Sequence, residues 1–212
     1  MTLTDSLEAL LAEHDRIGSR LRDDLVAGPP REHVDATISA LGLTPPTELL
    51  DFFAWRDIRK ESRTKPGIDW FWPVDAYRLP EATDYYGKAL DSGGVTPSEL
   101  EKAYRLPQPP TATNTGFWRT DWFPILGGVE QYAVECRLDG DQAASGPVWR
   151  VNWHPDSDFQ TRQVAAGLTE FIDRAVEVFR AGGYEWSEQQ RTVIANDDVF
   201  RELGLDQSRP WP

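Results

Sequence analysis

Phe117-Trp118-Arg119-Thr120-Asp121-Trp122-Phe123-Pro124-Ile125-Leu126, followed by Gly127-Gly128, Gln131-Tyr132-Ala133-Val134-Glu135-Cys136 and Val148-Trp149-Arg150-Val151-Asn152-Trp153, decides the fold. Tyr132, Val134 and Cys136 alternate with Gln131, Ala133 and Glu135, and Trp149, Val151 and Trp153 alternate with Val148, Arg150 and Asn152. Such period-two alternation marks strands, whose successive side chains point to opposite faces, one for a core and one for another use. Gly127-Gly128 and Asp139-Gly140 offer the positive φ of tight connections, and Gly146-Pro147 closes the second loop. The stretch therefore predicts a β-meander over about 121–153. The rest of the chain is expected to be helix around it, giving an α+β fold with a mainly antiparallel sheet.

Downstream, Leu168, Phe171, Ile172, Ala175, Val176 and Phe179 recur at the spacing of one helical face, and Gly182-Gly183 ends the pattern. This helix is expected to be a principal support of the sheet. Upstream, Thr4-Asp5-Ser6 reads as a helix start, with Leu7, Leu10, Leu11, His14, Ile17, Leu21 and Leu25 on one face and Gly28-Pro29-Pro30 as the stop. His14 lies on that stripe and reads as a core histidine. A second helix is expected over about 31–41 with Gly42 as terminator, and a third after Thr44-Pro45-Pro46-Thr47, with Leu49, Leu50, Phe52 and Phe53 inward.

Between the third helix and the meander, Arg56 to Lys65 is charged and predicts an exposed loop. Ile68-Asp69-Trp70-Phe71-Trp72-Pro73 reads as an outlying strand or as an aromatic edge for binding, with Trp70 the candidate contact. Helices are expected from Leu79-Pro80-Glu81-Ala82, carrying Tyr85, Tyr86 and Leu90, and after Thr96-Pro97-Ser98-Glu99. Pro107-Gln108-Pro109-Pro110 predicts a loop. The resulting division is a helical extension over 1–30, an α+β domain over 31–186 and a tail over 187–212 with a short helix near Asp198 to Leu203.

The 212 residues suit one domain with terminal extensions. A net charge of −13 and a pI of about 4.6 disfavour nucleic acid and anionic membrane as partners and favour a basic one. The single cysteine, Cys136, excludes an internal disulfide and reads as a small buried hydrophobe. The first residues lack the basic and apolar regions of a signal peptide, and no run approaches the roughly 20 apolar residues of a membrane span. A cytoplasmic location is expected.

No nucleophile elbow, phosphate-binding glycine loop or zinc spacing occurs. His154-Pro155-Asp156-Ser157-Asp158 groups an imidazole with two carboxylates, but it lacks the glycine and further carboxylate of a metal loop and reads as a solvated turn. The expectation is no catalytic residue, no metal and no cofactor. As a surface the meander is more informative. Glu135, Asp139, Asp141, Asp156 and Asp158 outnumber Arg137 and Arg150 there, an excess able to steer a cationic protein toward aromatic contacts. Acids at turns also keep sheet edges from pairing with other chains.

In order, these motifs resemble the SUKH superfamily, which joins fungal cell-wall assembly regulators with bacterial immunity proteins. The resemblance begins near Ile38 with Leu41-Gly42-Leu43-Thr44-Pro45-Pro46 and Glu48-Leu49-Leu50-Asp51-Phe52-Phe53. It continues through Arg78-Leu79-Pro80-Glu81-Ala82, Trp122-Phe123-Pro124-Ile125 and Pro147-Val148-Trp149, and ends with Leu168 to Phe179, Phe171 among them, and Tyr184. Where many members carry Asn-Gly after the aromatic helix, this chain has Ala54-Trp55-Arg56-Asp57. The resemblance implies a non-enzymatic α+β binding protein, and in bacteria one that neutralises a toxin, often a nuclease. The competing readings are a regulatory scaffold that binds host proteins and, third, a metal-dependent enzyme using the His154 loop.

Overall fold

The computed structural model describes residues 1–58, 74–91, 118–128, 131–151, 161–189 and 192–205. Its centre is an antiparallel five-stranded sheet of β3 (Val74–Ala76), β4 (Trp122–Gly128), β5 (Gln131–Glu135), β6 (Val148–Val151) and β7 (Arg162–Ala165), ordered as in the sequence. Helices flank this sheet, so the fold is α+β with a mainly antiparallel sheet.

Register explains why both faces of the meander are apolar. Tyr132 pairs with Arg150 and Val134 with Val148, whereas Ala133 pairs with Trp149 and Gln131 with Val151. Directly opposed residues share a face, so the large side chains of β5 and β6 lie on opposite sides. The Tyr132 side packs on helix α6 (Leu168–Arg180), where Phe171 meets the Tyr132 ring at 5.4 Å. The Trp149 side stacks on Trp122, with ring centroids 5.3 Å apart.

The glycines divide by role. Gly140 takes φ +85°, as the Asp139-Gly140 turn predicts. Gly127-Gly128 does not turn the chain: both residues belong to β4 and pair with Asp75 and Val74. A Cβ on Gly127 would fall 2.0 Å from the Tyr77 hydroxyl oxygen, so close approach is what requires glycine there.

The N-terminal helix differs from its sequence reading at both ends. Helix α1 (Leu3–Ile17) starts at Thr2, not Thr4, through a reciprocal capping box with Asp5, and it stops at Gly18, whose φ is +88°. Leu21 and Leu25, read as the same face, belong to a short helix α2 (Leu21–Asp24) and to strand β1 (Leu25–Ala27). α1 is more than an appendage: Leu3, Leu7, Leu10 and Leu11 join the common core, and His14 lies fully buried with its ring 4.8 Å from Phe179 of α6. Arg56–Ile58, expected in an exposed loop, is strand β2 and pairs with β1; Ile58 is buried.

The remaining elements follow expectation closely. Helices α3 (Arg31–Ser39), α4 (Thr47–Trp55) and α5 (Leu79–Asp91) bury Val34 and Ile38, then Leu49 through Phe53 apart from Asp51, then Leu79, Ala82, Tyr86 and Ala89. α6 buries seven residues, at about 1.5–3 kcal/mol for each large side chain. The C-terminal segment is more ordered than a tail. β8 (Tyr184–Ser187) pairs with β9 (Thr192–Ala195), and helix α7 (Asp197–Glu202) sends Phe200 against Tyr184. The predicted helix after Thr96 and the Pro107 loop lie outside the described residues.

Candidate partner-binding surface

Glu135, Asp139 and Asp141 fall into two different environments. Glu135, at the end of β5, is partly buried and its carboxylate is engaged. It accepts from Trp149 Nε1 at 2.9 Å and pairs with Arg119 at 3.3 Å. Arg119 also pairs with Asp121 and lies over the rings of Trp122 and Trp149, 5.1 and 5.6 Å from their centroids. The guanidinium thus joins two carboxylates and two indoles in one partly buried cluster. Its chemistry is mutual compensation, and Glu135 is not a freely offered charge.

Asp139 and Asp141 stand on the connection between β5 and β6, where residues 137–142 are all exposed. Leu138 is 53% exposed and lies beside them. Over Arg137, Asp139 and Asp141 the charges sum to +1 − 1 − 1 = −1. Arg137 Nε donates to Asp139 at 2.8 Å, and the backbone N–H of Asp141 donates to the same carboxylate at 3.2 Å. The hydrogen bond from Arg137, with that from Asp141 second, holds the Asp139 carboxyl down at about 2 from 3.8.

This connection is long but fixed. Thr44 N–H donates to the Arg137 carbonyl at 2.7 Å, and Arg137 N–H returns a bond to Thr44 at 3.0 Å. Thr47 and Glu48 N–H groups donate to Ala143 and Ala144, and the Gln142 amide donates to the Pro45 carbonyl. The first N–H groups of a helix have no partner within it. Here the loop supplies acceptors for α4, and in return α4 holds the loop. Gly146 lets the end of the loop approach β5 and Pro46 closely, since a Cβ there would lie 2.2 Å from the Glu135 carbonyl oxygen and 3.1 Å from Pro46 Cγ. Thr44 to Glu48 are therefore the clamp of the acidic loop.

Ser145, near the end of the loop, lines a shallow open groove together with Glu48, Glu170, Asp173, Arg174 and Glu177. Its charged groups sum to −4 + 1 = −3. Glu48 is committed within it: Gly167 gives α6 no side-chain cap, and Glu48 of α4 accepts instead from Leu168 N–H at 2.8 Å and from the Thr169 hydroxyl at 2.6 Å. Periodicity could not have found the groove, because its residues meet from segments some 120 positions apart.

The other sequence candidates separate cleanly. Trp122, Phe123 and Pro124 are buried in β4, Leu79 opens α5 in the core, and Phe171 is buried in α6. Trp149 is half-buried against Trp122 and Arg119. Trp70, Asp156 and Asp158, with His154, lie outside the described residues. Cys136 is buried, and burial, reinforced by the charge of Asp121, pushes its thiol well above the usual range. Among the described residues no group of three or more His, Cys, Asp or Glu is placed to hold a metal ion, and no helix is long and apolar enough to cross a membrane. No protein-family model matches the chain, and no curated protein sequence matches it.

Proposed function

We propose that this chain is a non-enzymatic binding protein of the SUKH type, a cytoplasmic immunity protein that occludes a basic toxin domain. The observation that carries the reading is the clamped acidic loop. Thr44 to Glu48, within the span of the resemblance, hold the loop on both sides of the exposed Asp139 and Asp141, through backbone bonds at Arg137, Ala143 and Ala144 and through the Gln142 side-chain amide. A rigid loop loses little freedom when a partner docks, and its charge speeds the encounter with a cationic surface. A nuclease that binds the polyanionic backbone presents such a surface.

The test is rescue. Cells expressing the toxin candidate encoded beside this gene are expected to survive when the wild-type chain is co-produced, and to die with an Asp139→Lys/Asp141→Lys variant that is equally abundant and folded. Equal rescue by both removes the loop from the interface. No rescue by the wild type, together with no binding to the purified candidate, rejects the immunity role.

A further inference from the structure

Asp139-Gly140 is the single Asp-Gly step in the chain, and no Asn-Gly occurs. At such a step the glycine nitrogen can attack the aspartate Cγ, because no side chain on the following residue shields it. The neutral carboxylic acid is the reactive form, since an ionised carboxylate offers no leaving group. The turn imposes this glycine: Gly140 takes φ +85°, and a Cβ there would meet nothing within 4 Å, so conformation and not crowding selects it. Arg137 grips the preceding carboxylate. Its Nε donates to Asp139 Oδ1 at 2.8 Å and to Oδ2 at 3.1 Å, its Nη2 donates to Oδ2, and the Asp141 N–H donates to Oδ1. Both oxygens are thus engaged as those of an ionised group.

We propose that Asp139-Gly140 is a site of spontaneous covalent modification, isomerisation through a succinimide, and that the Arg137 side chain restrains it in the native loop. The Gly140 nitrogen forms a bond to Asp139 Cγ, the Cγ–OH bond breaks, and hydroxide leaves with the amide proton as water. Water then adds to either ring carbonyl. Opening at Cγ restores aspartate, and opening at the main-chain carbonyl gives isoaspartate, with no oxidant or reductant consumed. Isoaspartate puts one more carbon into the main chain and frees the α-carboxylate. The charge is kept, but the loop between its anchors at Arg137 and Gln142 is lengthened. An exposed ion pair adds little to stability. Its effect here is on protonation, because the reactive acid at neutral pH falls about tenfold for each pH unit by which the carboxyl is depressed. The restraint is independent of the immunity reading.

The experiment incubates the full chain as wild type, Arg137→Ala and Arg201→Ala at neutral pH in heavy-oxygen water, both native and in urea, and places the label by peptide mass spectrometry. Each succinimide that hydrolyses takes up one heavy oxygen, and the isoaspartyl peptide separates from the aspartyl one. Arg137→Ala keeps the backbone bonds between residue 137 and Thr44, so the loop anchors remain. If it does not fold, Arg137→Gln takes its place. Native Arg137→Ala is expected to label at Asp139 at least about threefold faster than native wild type. The two converge in urea, where the grip is gone, and Arg201→Ala, whose ion pair with Asp198 is exposed on α7, matches wild type throughout. Equal native rates for Arg137→Ala and wild type, a difference that persists in urea, or label entering other aspartates ahead of Asp139 in urea overturns the proposal.

Discussion

Arg119→Ala is the most demanding stability test. The Arg119 side chain is 13% exposed and that of Asp121 is 6% exposed, so their pair is buried, while Glu135 is 29% exposed. Removing one partner of a buried pair strands the other charge and costs about 3–5 kcal/mol. Loss of the cation from the two indole faces adds about 0.5–2 kcal/mol. A total of about 3.5–7 kcal/mol is a large share of the usual 5–15 kcal/mol, and for a chain of this length it lowers Tm by about 7–28 °C. Urea unfolding of wild type, Arg119→Ala, Asp121→Asn and the double variant measures the coupling. The double variant is expected to regain about 1–2 kcal/mol over Arg119→Ala, because the stranded carboxylate is gone. A loss below about 1 kcal/mol for Arg119→Ala, or additive single effects, refutes the claim that this cluster is held by mutual charge compensation.

Three further outcomes are expected. Gly146→Ala places a Cβ 2.2 Å from a backbone oxygen that cannot swing aside, so it costs about 1–3 kcal/mol in urea unfolding, while Gly87→Ala, in open space inside α5, stabilises by about 1 kcal/mol. The Asp139 carboxyl is expected to titrate near 2 by carbon-detected NMR and to rise in Arg137→Ala, the Asp141 N–H still holding it below its ordinary value. Its folded pKa is depressed, so its contribution to stability is present above the unfolded value near 4 and is lost as pH falls through about 2. Cys136 stays unreactive to a thiol reagent in the native protein and reacts stoichiometrically once urea unfolds it; fast native labelling contradicts its burial.

The meander and α6 were legible in the sequence because each repeats its pattern several times: alternation over β5 and β6, and a 3.6-residue period from Leu168 to Phe179. Elements made by distant partners were not. β2 has three residues, two of them charged, too few to show alternation, and it exists because β1 pairs with it. Gly127 resembles a turn residue until the Tyr77 ring is placed above it. The site divides in the same way. Asp139 and Asp141 were legible as turn acids, whereas the internal role of Glu135 depends on Arg119 and Trp149, sixteen positions before it and fourteen after. The Gly18 break in the first helical stripe was hidden because Leu21 and Leu25 continue the same apolar spacing beyond it.

The most direct test of the central claim is the association rate of the purified toxin candidate encoded beside the gene. It is measured against salt for the wild type and for Asp139→Lys/Asp141→Lys. If the clamped acidic loop captures a basic partner, the wild-type rate falls steeply with salt, and the variant associates about tenfold more slowly with a flatter dependence. Identical rates and salt slopes for the two proteins would contradict the account.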